Sequence, residues 1–266
     1  MVPKLRIFAG GVRLYRNWPT WLAYKLHRSR GAHEEIMVLR NGIRFATRFE
    51  RNEPGTIDDI FIRGDYDAYK AAVPVNGTVI DIGANIGAFS VAVAVGVPGV
   101  RVFSYEPAPD TFMMLQKNIA LNHLGDRAKA FNVAVAGENG ERVLSEDPSN
   151  SGLASLVFGR DNGTIKSGLV SHTVKTTTLA DIFHENNINR CDFLKMDCEG
   201  AEFEIIEKTP DAVIAKIGAI GMEYHGDPSP IERRLQNLGF AVSCRPAGPA
   251  VGILSASQGY SKIEKQ

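Results

Sequence analysis

Four short stretches of this 266-residue sequence end in groups that could do chemistry. The first, "VIDIGANIGAFS" (79–90), carries Asp81 and then Gly83-Ala84-Asn85-Ile86-Gly87. The second, "VRVFSYEP", ends in Glu106, and the third, "FLKMDCEGAE", holds Lys195, Asp197, Glu199 and Glu202. The fourth, "IGMEYHGD", delivers Glu223, His225 and Asp227. Each begins as an apolar run, so each reads as a buried strand whose polar groups come at its carboxyl end. In an open α/β sheet that rim is where ligands bind.

The first two stretches belong together. Asp81 and Glu106 are 25 residues apart, a spacing compatible with one βαβ unit. A carboxylate at the tip of the second strand can accept hydrogen bonds from the two vicinal hydroxyls of a ribose. Glycines at 83 and 87 would let the backbone approach a ligand closely. These features fit a dinucleotide or S-adenosylmethionine. The run D-I-G-A-N-I-G lacks the middle glycine of G-x-G-x-x-G and the G-K-[ST] of a phosphate loop. Asp81 is poor company for a pyrophosphate and suits the ammonium end of a methionine. Lys195 precedes Asp197 by two residues, so both face one side of the sheet. A lysine within a buried strand calls for a carboxylate partner.

The elements needed to position these groups are legible around them. Strands are expected at 78–82, 100–105, 129–135, 192–197, 218–224, 239–244 and 251–257. Helices are expected at 86–95, 108–122, 200–207, 211–216 and 230–238. Ser229-Pro230-Ile231-Glu232 reads as a capping box opening the last helix, with Gly239 stopping it. Upstream, 35–50 reads as two strands joined at Asn41-Gly42, and 55–73 holds a short helix. Segment 141–183 interrupts the alternation with a polar loop (145–152), a threonine-rich strand and a short helix. The fold class is α/β, a doubly wound, mostly parallel sheet, with residues 1–60 as an extension and 61–266 as the main domain.

Together, residues 79–90, 102–107 ("VFSYEP") and 193–204 ("FLKMDCEGAEFE") resemble the FkbM family of S-adenosylmethionine-dependent methyltransferases. "YHGD", "TTTLADIF" and the "RNW" at 16–18 are similar to the family as well. The resemblance covers about residues 60–245. It implies a Rossmann-like class I methyltransferase fold, seven strands with the last antiparallel. It also implies O-methylation of a hydroxyl on a sugar, glycoconjugate or natural product. By the same resemblance Asp81, Gly83, Asn85, Gly87 and Glu106 fall on the cofactor site. For catalysis, an acceptor hydroxyl needs a base, and Asp197 or His225 is the candidate, with Lys195 and Glu199 fixing the local charge. Asp197, Glu199, Glu223 and His225 could also hold a magnesium ion, although no spacing demands it, and nothing suggests zinc. The competing readings are a nicotinamide-dependent oxidoreductase and an adenosine-binding protein without chemistry.

Composition bounds the rest. Net charge is zero, with 30 basic and 30 acidic residues, but residues 1–31 hold seven basic residues and no acid. That stretch also carries Trp18 and Trp21. Basic and aromatic together suit a peripheral contact with anionic lipid at the inner membrane surface. They equally suit a helical extension packing its aromatics on the domain, and the likeness at 16–18 favours a structural lid. The body is acidic, which argues against nucleic acid. Three scattered cysteines, no 18-residue apolar run and no signal-like start lead us to expect a cytoplasmic protein. The acceptor's identity and the oligomeric state have no code in the sequence.

Overall fold

The computed structural model describes residues 4–26, 34–156, 160–161, 164–165, 168–248 and 250–258. The chain opens with helices α1 (Lys4–Leu14) and α2 (Trp18–Lys25). The hairpin β1 (Glu34–Val38) and β2 (Arg44–Arg48) follows, turning at Asn41-Gly42 with Gly42 at φ +92°. After a 3-10 turn, α3 (Glu53–Asp58) runs directly into a π-helical turn, Asp59–Arg63, before α4 (Tyr69–Ala72). The boundary drawn at residue 60 therefore falls inside a continuous helical segment.

Strands and helices then alternate: β3 (Thr78–Ile82), α5 (Ala88–Gly96), β4 (Arg101–Tyr105), α6 (Pro109–Leu121) and β5 (Ala128–Phe131). Next come β6 (Ala134–Val135), β7 (Gly140–Asp147), β8 (Asn150–Ser155), β9 (Arg160–Asp161), β10 (Thr164–Ile165) and β11 (Val170–Thr177). The chain continues with α7 (Leu179–Glu185), β12 (Cys191–Met196), α8 (Glu202–Lys208), α9 (Asp211–Ile214) and β13 (Ile217–His225). It finishes with α10 (Ser229–Asn237), β14 (Phe240–Pro246) and β15 (Val251–Gln258).

Seven strands make the central sheet in the order β14-β15-β13-β12-β3-β4-β5. Only β15 runs against its neighbours. Alternate side chains feed opposite cores, as strand geometry requires. Val79 and Phe193 join the core under α5 and α6, while Ile80 and Leu194 join the one with α7, α8 and α10. Every residue of β3 is buried, as expected of a strand covered on both faces. The chain builds outward from β3 to β4 and β5, then crosses back to lay β12 on the other side of β3, so the sheet's switch point lies at the β3 tip.

Three expectations are corrected. The 145–152 loop is instead the β7–β8 hairpin, part of a second, four-stranded sheet in the order β6-β11-β7-β8. Its serines and asparagines hid the strands, because alternation there is between small polar residues rather than apolar and charged ones. The strand expected at 129–135 is split between the two sheets as β5 and β6. The capping box at Ser229 is not formed. The Ser229 hydroxyl and amide both donate to Asp227 Oδ1, at 2.6 and 3.0 Å, and Gln236 donates to Glu232. An Asx turn competes for the serine and wins. A side-chain cap does form at Thr178 in the "TTTLADIF" segment, where its hydroxyl accepts from the Asp181 amide at 3.1 Å.

The extension is anchored by one carboxylate. Asp58, 3% exposed at the end of α3, accepts from the Tyr15 hydroxyl at 2.7 Å and the Trp21 indole at 3.1 Å, and pairs with Lys25 at 2.7 Å. Tyr15, Trp21 and Tyr24 are buried in the same core as Phe45 and Phe89. Asn17, the middle of "RNW", ties α2 to β1 by accepting from Val38 and donating to Ile36. Trp18 and Phe8 keep substantial exposure, while Arg28 and Arg30 lie outside the described residues. Among the described residues no helix is long and apolar enough to cross a membrane.

Candidate active site

At the carboxyl end of the central sheet lies a cavity of about 280 Å³. The tips of β3, β4, β12 and β13 form its floor through Gly83, Glu106, Asp197 and Glu223. Strand β8 covers it with Asn150 to Ala154, and the α3 segment closes one side with Asn52, Thr56, Asp59 and Ile60. Strands β6 and β7 add an apolar wall of Ala134, Val135 and Leu144.

The glycine turn is closed on itself. The amides of Gly83 and Ala84 both donate to the Tyr105 carbonyl at 3.0 Å. The Asn85 amide donates to Glu106 at 2.8 Å, Ile86 to the Asn85 side chain at 2.7 Å, and Gly87 to the Ala84 carbonyl at 2.9 Å. All five amides from 83 to 87 are thus spent inside the protein. A phosphate-binding turn must leave such donors free. The two glycines are required by packing rather than by a ligand. Gly83 sits at φ +71°, and a Cβ there would run into the backbone carbonyl of Asp197. Gly87, at φ +86°, would meet Leu115 at 2.6 Å and does not line the cavity.

Glu106 stands where the spacing placed it. It lines the cavity although only 4% exposed, and each carboxylate oxygen accepts one amide, from Asn85 at 2.8 Å and Ala108 at 2.9 Å. Each oxygen retains a lone pair. Burial pushes its pKa up to about 7, against the pull of those two amides. A diol donating two hydrogen bonds would favour the ionised form.

Asp81 is not beside the ligand space. It is fully buried under the turn, accepting from Ser90 at 2.6 Å and pairing with Lys195 at 3.2 Å. Being one residue short of the strand's last position, it points into the sheet's helix-covered side instead of the mouth. Lys195 is the tie between the two strand tips: its ammonium donates to the Gly83 carbonyl at 2.6 Å and lies 3.8 Å from Asp197. Burial would depress this lysine, but Asp81 and Asp197 outweigh it and hold the pKa above the usual value. Asn85, at φ +51°, lines the cavity, and its side chain donates to the Ser151 carbonyl at 2.9 Å. It therefore clamps β8 down over the site. A second clamp runs from the Ser155 hydroxyl to the Glu199 carbonyl at 2.6 Å.

His225 is the main correction among the catalytic candidates. It does not line the cavity; its ring lies behind it, 3.3 Å from Glu199, 3.6 Å from Glu202 and 4.0 Å from Glu223. Glu202 first, then the charges of Glu199 and Glu223, push its pKa up to about 9, against burial. At neutral pH the ring is an imidazolium and has no lone pair to offer as a base. Glu202 in turn accepts from the amides of Cys198 and Gly200, both at 2.9 Å, shaping the turn after β12. Asp197 and Glu199 line the cavity, and burial, then the charge of Asp197, raise Glu199 to about 7. Among the described residues no three His, Cys, Asp or Glu side chains are placed to hold a metal ion. Of the four magnesium candidates, Glu199 and Glu223 lie against the His225 ring, which serves them as a counter-charge.

Sequence reasoning missed Asn52, Thr56, Asp59, Asp65, Tyr66 and residues 150–154 of β8, all of which line the cavity. Tyr66 in "GDYDAY" carried the one available signal, an aromatic among acids ahead of β3.

The strand order, the switch-point cavity and the carboxylate at the β4 tip define a class I methyltransferase. The Methyltransferase FkbM domain profile matches residues 81–242, and the chain belongs to that family. It is 27% identical over 211 residues to "Methyltransferase sdnD" of Sordaria araneosa, covering 70% of this chain and 81% of that one. It is 24% identical over 210 residues to "31-O-demethyl-FK506 methyltransferase FkbM" of Streptomyces tacrolimicus, covering 69% and 80%. Among solved structures, the METTL16 methyltransferase domain shares the fold at 14% identity with a TM-score of 0.50, over 96% of this chain and 92% of that one. The oxidoreductase reading is thereby overturned.

Proposed function

We propose that the chain is an S-adenosylmethionine-dependent O-methyltransferase acting on a hydroxyl of a sugar, glycoconjugate or natural product. The observation that carries the cofactor assignment is the pairing of a phosphate-refusing turn with Glu106. Five turn amides are internally satisfied, while Glu106 faces the cavity with acceptor capacity left. Glu106 would hold the ribose, and the Ala134, Val135 and Leu144 wall would receive the adenine. When bound, S-adenosylmethionine supplies an activated methyl group.

The remaining work falls to the protein. The sheet order sets the polarity of the site: ribose at the β4 tip puts the reacting end toward β12 and β13. Asp197 stands there, partly exposed to the cavity, as the base that takes the proton of the acceptor hydroxyl as the new O–C bond forms. Lys195 holds the Gly83 carbonyl and sets the local charge, so it is a positioning residue. The enclosure by β8 excludes water and aligns the reactants, which contributes most of the rate for an already activated donor. Three unpaired cysteines, Cys191, Cys198 and Cys244, support a reducing cytoplasmic setting. Titration calorimetry of the protein with S-adenosylmethionine and with NAD tests the cofactor assignment. Methyl transfer from labelled donor to a polyol panel tests the reaction. Binding of NAD in preference, or binding unaffected by Glu106→Ala, would sink it.

A further inference from the structure

The reacting half of the cavity is far more acidic than a methyl transfer to a plain hydroxyl requires. Asp59, Asp65, Asp197, Glu199 and Glu223 all line it. They reach it from three separate parts of the chain: the π-helical turn with the loop after it, the β12 tip and the β13 tip. Among the described residues Lys195 is the one basic side chain lining the cavity, and it is already engaged by Asp81 and the Gly83 carbonyl. Behind the wall, Arg63 answers Asp59 at 2.8 Å, the charges of Arg63 and Arg245 reach Asp65, and His225 is shared between Glu199, Glu202 and Glu223. Carboxylates outnumber cations in this half. The sulfonium and ammonium of a bound cofactor, less its carboxylate, would add one net positive charge and leave the imbalance standing. Burial, the first cause, and mutual repulsion push Asp59 to about 6 and Glu223 to about 7.

A second observation points at a ligand in the same place. Tyr66, 6% exposed, lines this end, and its buried hydroxyl, set beside the Asp197 carboxylate, closes no hydrogen bond of normal geometry among the described residues. Burial, then the charges of Asp197 and Glu223, hold the phenol well above its usual range, so it stays a neutral donor and acceptor. The Lys195 ammonium rests 5.5 Å over its ring. Buried polar groups left unpaired are costly and mark where a partner belongs.

Resting on the methyltransferase reading above, we propose that the acceptor is a hydroxylated amine, a polyol whose protonated nitrogen sits against Asp65 and Glu223 while its hydroxyl faces Asp197. A neutral polyol would leave the carboxylates uncompensated, and a phosphate or carboxylate would be repelled. The amine supplies both the missing charge and donors for the crowded oxygens.

The test uses the full-length protein saturated with S-adenosylhomocysteine and three matched probes: glucosamine, glucose and glucuronate. Titration calorimetry should give glucosamine an affinity at least tenfold above glucose, falling with added salt, and glucuronate no heat. In Glu223→Gln and, separately, Asp65→Asn, the preference should shrink to less than threefold. Two variants on different elements guard against one failing to fold. Equal or weaker binding of glucosamine than glucose, comparable binding of glucuronate, or no binding of any probe would overturn the proposal. Methyl transfer is read apart from this. Charge-ordered binding without transfer would support the acceptor class while counting against the reaction.

Discussion

The two halves of the cavity are built on different plans. The half assigned to the cofactor is contiguous in sequence: the turn 83–87 and Glu106 lie within one βαβ unit, and the Tyr105 and Ala84 carbonyls with the Asn85 and Glu106 side chains satisfy every turn amide. The half assigned to the acceptor draws Asp59, Asp65, Tyr66, Asp197 and Glu223 from regions far apart in the chain, under a roof supplied by β8. The first is rigid because its geometry follows from local hydrogen bonds. The second is held by long-range ties: Lys195 to Gly83, Asn85 to Ser151, Ser155 to Glu199 and Asp58 to the N-terminal helices. On the proposed assignment, a common cofactor is met by local structure and a particular acceptor by tertiary assembly.

The largest effect should come from Asp197→Asn. Removing the base should lower kcat by about 100-fold or more, while calorimetry finds cofactor affinity within about threefold of the parent. Equal losses in both would show that the two halves are not separable. Next comes Asp58→Ala, which strands Lys25 and two aromatic donors. A loss of about 3 kcal/mol is expected for breaking such a buried network, read by denaturant titration. Faster hydrogen exchange should be confined to 4–25 and the α3 segment. Gly83→Ala should cost about 2 kcal/mol or more, because both the positive φ and the Asp197 carbonyl oppose a Cβ. A variant as stable as the parent would refute the packing role given to this glycine.

The smallest effect is a pH slope. His225 is raised in the folded protein to about 9. Its contribution to stability is therefore complete below the ordinary histidine value, near 6.5, and is lost as pH climbs through about 9. Glu199 and Glu223, raised to about 7, act in the same direction: the folded state binds their protons more tightly, so stability falls as pH rises from their ordinary range through 7. Melting temperature should decline between pH 6 and 9, and His225→Gln should flatten the upper part of that decline. An unchanged slope in the variant would remove His225 from the cluster's charge balance.

The same division explains what the sequence made legible. The seven central strands follow from apolar runs, Glu106 from its spacing to the turn, and the Lys195–carboxylate partnership from period-two geometry; the structure has each of these features. Asp81 was misplaced because position in a strand, not proximity to a turn, decides which way a side chain points. His225 was misread because three carboxylates from two elements converge on it only after folding. Strand β8 has no such signal, since "NSGLAS" has neither apolar alternation nor β-branched residues. Ser229 shows that a motif with the correct letters yields to a nearer competitor, Asp227.

The central claim is that Glu106 holds the ribose of a methyl donor in a turn that offers nothing to phosphate. Titration calorimetry of the parent protein and Glu106→Ala with S-adenosylmethionine, with NAD as the rival ligand, addresses it directly. The account predicts saturable binding of S-adenosylmethionine to the parent, a loss of about tenfold or more in the variant for two missing charge-assisted hydrogen bonds, and no heat from NAD. Comparable affinity in parent and variant, or tighter binding of NAD, would contradict it.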